Sequence, residues 1–168
     1  LLLTFLGMVY NVLHTLADRL ALSVGMQADD AGLLISIFAI GSLVSLLLSS
    51  AVSDRYGKRR VAALALAVMA LSFGVIFRVQ TRLPMLAGIF FLGFGFAPTE
   101  ATTTALLGDE NGEHSGRWIN IAHAGFGIGS ILGPILVVAW LAAPLGYRDF
   151  FLMLALVSLF FLLWSQLS

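Results

Sequence analysis

Apolar residues in this chain neither alternate strictly nor recur every third or fourth position; they run on. Six such runs lie near 1–24, 31–53, 61–79, 84–107, 118–141 and 148–168. Short polar breaks separate them: Met26 to Asp30, Ser53 to Arg60, Arg78 to Arg82, Gly108 to Arg117 and Pro144 to Asp149. Crossing ~30 Å of hydrocarbon takes about 20 helical residues at ~1.5 Å each, and each run is of that order. A closed barrel would need alternating segments of about ten residues, which these continuous runs are not. The pattern predicts an all-α membrane protein of six transmembrane helices, forming a single bundle over residues 1–168.

Composition narrows the picture. Hydrophobic residues make up 60% of the chain and charged residues 11%, against roughly a quarter charged in soluble domains. So few charges cannot cover a water-facing surface, and the solvent must be largely lipid. Net charge is zero, which gives no electrostatic case for nucleic acid. Cysteine is absent, which excludes disulfides, thiolate chemistry and cysteine-ligated metals. The chain opens on Leu1 rather than Met, which points to a trimmed start. The first apolar run is too long for a signal-peptide core, and no small-residue cleavage site follows it.

Loop charges predict orientation. With residue 1 starting in the cytoplasm, the inside loops carry Arg55, Lys58, Arg59, Arg60 and Arg117, and the outside loops Arg78, Arg82 and Arg148. The densest cluster sets the sign under the positive-inside rule, so both termini are expected in the cytoplasm, across a bacterial inner (plasma) membrane. Small residues at four-residue spacing predict where helices touch: Gly41, Ser45, Ser49 and Ser53 in the second run, and Gly125, Gly129 and Gly133 in the fifth.

The break after the second run reads Ser50-Ala51-Val52-Ser53-Asp54-Arg55-Tyr56-Gly57-Lys58-Arg59-Arg60. Positive-inside anchoring explains its cations, and Gly57 explains a helix stop, but neither explains the order Asp-Arg-x-Gly-Lys-Arg. That order resembles the loop between the second and third helices of the major facilitator superfamily, with Ser50 standing where the family usually has Gly. Gly129-Ser130-Ile131-Leu132-Gly133-Pro134 looks like the family's Gly-x-x-x-Gly-Pro kink region, and Leu145 to Phe150 like the start of its sixth helix. Pro134 also removes a backbone donor, so a helix can bend there. The resemblance implies the first half of a twelve-helix transporter, built as two inverted three-helix units. It implies a second six-helix half as partner, from a missing C-terminal half or another subunit. In it, Asp54, Arg55, Gly57, Lys58 and Arg59 would form a gating loop against that half.

Polar residues inside apolar runs are the candidates for chemistry, because an ionisable group at mid-membrane costs at least ~2.5 kcal/mol. Asn11, His14 and Asp18 are spaced three and four apart on one face of the first run, with Arg19 following. Glu100 lies seven residues before the end of the fourth, with Thr103 and Thr104 one turn on. A carboxyl held there can take up and release a proton. Asn120 and His123 sit near the cytoplasmic end of the fifth run, at a depth similar to that of Glu100. Residues 95–129, with Glu100, Asn120 and His123, are similar to the fucose–proton symporter family, which places a functional Glu in its fourth helix. His14 falls where that family has an acidic coupling residue, and Asp18 is the nearest carboxylate.

These readings lead to one functional expectation: proton-coupled uptake of a sugar or similar small polar solute by alternating access. Glu100, Asp18 and His14 would handle protons; Asn11, His14, Asn120 and His123 would bind the solute; Gly129, Gly133 and Pro134 would form a helix kink. A drug or metabolite exporter of the same superfamily, and a non-transporting membrane assembly module, are the alternatives. No cofactor or metal is expected: neither His-x-x-x-His nor His-Glu-x-x-His spacing occurs. An enzyme is not expected either.

Overall fold

A computed structural model describes residues 1–167. Its α-helices are α1 (Leu2–Ser23), α2 (Ala31–Tyr56), α3 (Lys58–Arg78), α4 (Arg82–Asn111), α5 (Ser115–Ala142) and α6 (Tyr147–Leu167), with single 3₁₀ turns at Ala28–Asp30 and Gly112–His114. No strand occurs among the described residues. Among the described residues, four stretches are long and apolar enough to cross a membrane by length and composition: Ala28–Tyr56, Lys58–Arg78, Arg82–Ala142 and Tyr147–Gln166. The third holds both α4 and α5. α1 falls short of that measure, since Asn11, His14, Asp18 and Arg19 dilute its apolarity, although the sequence pattern counts it with the others.

Local chemistry sets the breaks. Before α2, the Gln27 N–H donates to the Asp30 carboxylate at 3.0 Å and satisfies a donor that the helix start would leave open. Gly57 is the single residue between α2 and α3, at φ +89°, where a side chain would be strained. Two boundaries differ from the sequence pattern. α4 continues through Asp109, Glu110 and Asn111, and α5 begins at Ser115, so the expected break over 108–117 shrinks to one 3₁₀ turn. The Asn111 side-chain amide donates to the Leu107 carbonyl at 2.8 Å, and Lys58 and Arg59 hold the two acids on the helix end. Both Pro98 and Pro134 lie inside their helices, which run on through them.

Tight helix crossings organise the bundle. α1 packs along α5, α2 along α4, and α3 against both α4 and α6. Exchanging the first three helices for the last three turns the α1/α5 contact into α4/α2, so the two closest seams are counterparts. Glycine makes both. A Cβ on Gly7 would overlap the Phe126 carbonyl, and one on Gly129 the Thr4 carbonyl; across the other seam, Gly41 faces Phe90 and Gly93 faces Phe38 in the same way. Backbones that close gain dispersion along the whole crossing, which is the main attraction available to helices in lipid. The α1 side chains Leu6, Val9, Val12, Leu13 and Leu16 are almost wholly buried, as are Phe73 of α3 and Phe151 of α6. Meanwhile Leu47 of α2, Leu71 of α3 and Ile131 of α5 are about 70% exposed. Water would penalise a surface like that, and hydrocarbon does not.

Candidate functional site

Where α1, α2 and α4 meet, a cavity of about 270 Å³ opens, lined by Tyr10 and His14 of α1, Phe38 and Ser42 of α2, and Phe96 and Glu100 of α4. Helical periodicity explains the pairing of ring and polar group: Tyr10 precedes His14 by one turn, and Phe96 precedes Glu100 by one turn. The Phe38 and Phe96 rings meet edge-on at 5.4 Å between centroids, and Tyr10 lies 6.2 and 6.1 Å from them. These rings form an aromatic wall beside one carboxyl and one imidazole. His14 Nδ1 lies 2.7 Å from the Tyr10 carbonyl oxygen. A carbonyl can only accept, so Nδ1 carries the proton, and Nε2 is left free to accept a hydrogen bond from a solute.

Glu100 is half-buried and within electrostatic reach of His123 on α5. His123 itself, like Asn120, is exposed on α5 and does not line the cavity. Asn11 is half-buried one position along from Tyr10, and its side chain is not part of the lining. Asp18 is exposed a turn beyond His14, outside the lining. The structure thus brings together His14 and Glu100, keeps His123 close to Glu100, and sets Asp18, Asn11 and Asn120 apart from the cavity.

Below Glu100 the polar character of α4 divides. The hydroxyls of Thr99 and Thr102 are buried and donate one turn back, to Gly95 at 2.8 Å and to Pro98 at 2.5 Å. Thr103 lines a separate cavity of about 490 Å³ that also meets Arg59, Glu110 and Trp164. Thr104 differs: its Oγ1 is buried without a hydrogen-bond partner.

The α2–α3 turn is tied to the end of α4. Lys58 pairs with Asp109 at 2.5 Å and Arg59 with Glu110 at 3.0 Å. All four side chains keep a third or more of their surface exposed, so each pair contributes ~0–1 kcal/mol in water. Their role is placement: two cations one residue apart hold two acids one residue apart. Asp54 and Arg55 stay exposed, with the Arg55 guanidinium over the Tyr56 ring at 5.4 Å. In α5, Gly129 and Gly133 are buried on the α1 seam and Pro134 is half-buried beside them.

Sequence reasoning missed Ser42, and it missed Tyr10, Phe38 and Phe96 because aromatics inside an apolar run read as core. Their one-turn spacing from His14 and Glu100 was the available signal for Tyr10 and Phe96. It also missed Asp109 and Glu110 as partners of the basic turn; two acids at the same membrane face as three cations carried that signal. Among the described residues no group of three or more His, Asp or Glu side chains converges to hold a metal.

Residues 1–167 match the family profile described as Major Facilitator Superfamily. "Tetracycline resistance protein, class G" of Vibrio anguillarum is 30% identical over 132 residues, covering 78% of this chain and 33% of the relative. "Multidrug resistance protein MdtG" of Klebsiella pneumoniae (strain 342) is 30% identical over 163 residues, or 96% of this chain and 39% of the relative. A "Probable 4-methylmuconolactone transporter" of Cupriavidus pinatubonensis is 28% identical over 138 residues, with 79% and 32% covered. The chain spans about a third to two-fifths of the length of these curated relatives.

Proposed function

Because this chain belongs to the major facilitator superfamily, we propose that its six helices all span the membrane and form one half of a proton-coupled exporter of amphipathic small molecules. Membership of the family supports the coarser part of this reading: an integral membrane protein that takes part in transport of small molecules. The observation that carries the finer reading is the Glu100 carboxyl in a cavity walled by Tyr10, Phe38 and Phe96. The rings offer flat apolar surface to a solute, and the carboxyl offers it a hydrogen-bond acceptor or a negative charge.

Coupling follows from the cost of charge in a low dielectric. A bare carboxylate at this depth costs at least ~2.5 kcal/mol. Either a proton or a hydrogen-bonding solute at Glu100 relieves that cost, so the two compete for one cavity. Closing and reopening the bundle with one of them bound, and returning with the other, exchanges solute for proton. His14 Nε2 and the nearby His123 supply further hydrogen bonds or a second proton site. A second six-helix half completes the pathway, and rocking between halves gives alternating access. Both termini face the cytoplasm of a bacterial inner membrane in this reading. The turn over Asp54, Arg55, Gly57, Lys58 and Arg59 gates that side, and the stretch from Gly129 to Pro134 lets α5 flex.

Sugar–proton uptake is the second reading. Its support is the likeness of residues 95–129 to the fucose–proton symporters and the hydrogen-bonding groups of Asn11, His14, Asn120 and His123. Two of the three relatives are named for resistance to tetracycline and to multiple drugs, and none is named for a sugar, which favours the first reading. Proteoliposomes holding the full native chain decide between them. An imposed proton gradient should drive a lipophilic dye or drug against the direction of proton flow. Sugar accumulating with the proton flow, and no dye movement, would overturn the exporter in favour of uptake.

A further inference from the structure

Away from this site, the beginning of α3 and the end of α6 enclose a cavity of about 450 Å³ lined by Arg59, Arg60, Ala63, Leu64, Ser165 and Gln166. Among the described residues its lining holds two guanidinium groups and no acid. Arg59 spends one nitrogen on Glu110, which lies outside this lining, while Arg60 is exposed and makes no ion pair among the described residues. The first turn of α3 carries no acidic residue and no side-chain cap, so its positive end adds to the same field. From the α6 side, Gln166 gives one N–H to the Ser165 hydroxyl at 3.3 Å and keeps another free. The pocket is built to receive an anion.

The surface below it says which anion. Leu64, Leu71 and Val75 follow Arg60 at intervals of four, seven and four along one face of α3. They are 66%, 71% and 42% exposed. A basic head over an apolar stripe, running away from the water boundary, is the complement of a phospholipid.

We propose that this cleft binds the headgroup of an anionic phospholipid, of the phosphatidylglycerol type. The phosphate sits between Arg60, Arg59 and Gln166, and an acyl chain lies along Leu64, Leu71 and Val75. Neither Arg60 nor the α6 end belongs to the solute cavity, so the site rests on the reading that α3 spans the bilayer and not on coupling at Glu100, although Arg59 is shared with the gating turn.

Native mass spectrometry of the full chain, released from detergent with equal phosphatidylglycerol and phosphatidylcholine of matched chain length, tests the proposal. The wild type should retain phosphatidylglycerol preferentially. Arg60→Gln should cut that preference about fivefold, the fold-change equivalent to ~1 kcal/mol for one basic residue at an anionic surface. Arg60→Lys should keep most of it, and Arg82→Gln, on the first turn of α4 at the far end of α3, should leave it unchanged. Equal retention of the two lipids by the wild type overturns the proposal. So does a preference that survives Arg60→Gln, or one lost equally in Arg60→Lys or Arg82→Gln.

Discussion

Replacing Gly129 with alanine adds one methyl group at the tightest point of the α1/α5 seam. An ideal Cβ there overlaps the Thr4 carbonyl oxygen and comes within 2.8 Å of its carbon and 3.0 Å of the Met8 nitrogen. All three neighbours are backbone atoms of α1, so no rotamer change makes room. Restoring ordinary contact at 3.4 Å to the Thr4 carbon alone requires the helices to part by at least about 0.6 Å. A gap of ~0.5–1 Å already forfeits a quarter to a half of each dispersion contact across it. Overpacking of this kind costs ~1–3 kcal/mol, and Gly7, pressed on the Phe126 carbonyl along the same seam, leaves no slack. Two positions earlier, a Cβ on Gly127 meets nothing within 4 Å. There alanine only improves helix propensity, by up to ~1 kcal/mol. The same substitution, two residues apart, should therefore differ by ~1–4 kcal/mol in stability. Unfolding in mixed detergent and SDS micelles, followed by tryptophan fluorescence, measures both. If Gly129→Ala and Gly127→Ala fall within about 0.5 kcal/mol of each other, the seam is not packed as described.

Two further predictions bear on α4. Thr104→Val removes a buried hydroxyl that has no partner and keeps the side chain's shape, so the variant should be about 1 kcal/mol more stable in the same unfolding experiment; a loss would mean the hydroxyl is satisfied. Lys58→Asp should weaken transport by freeing the end of α4, and combining it with Asp109→Lys should restore much of the rate, while either variant shifts stability by no more than ~1 kcal/mol because the pair is partly exposed. Absence of rescue in the double variant would remove the pair from gating.

How far the sequence reaches differs between fold and site. Continuous apolar runs can only be helices in lipid, so the helical class was readable, as were the turns at Gln27–Asp30 and Gly57, where local hydrogen bonds and a positive φ decide. The end of α4 was not. Asp109 and Glu110 read as loop because the residues that hold them on the helix, Lys58 and Arg59, lie 51 positions away. Periodicity put Asn11, His14 and Asp18 on one face, but it does not give depth. His14 reaches the cavity and Asp18, one turn further, is exposed. Glu100 stood out because a carboxylate in an apolar run is costly. Its aromatic neighbours carry no such cost and were indistinguishable from packing.

Gradient-driven transport by Glu100→Gln, in proteoliposomes of the full native chain, reaches the heart of the proposal. Glutamine keeps the size and hydrogen bonds of the protonated carboxyl but cannot release a proton. Uphill movement of solute should vanish, and solute-for-solute exchange should slow as well, because the glutamine holds the cavity in the form that competes with solute. Uphill movement that survives the substitution would contradict coupling at Glu100.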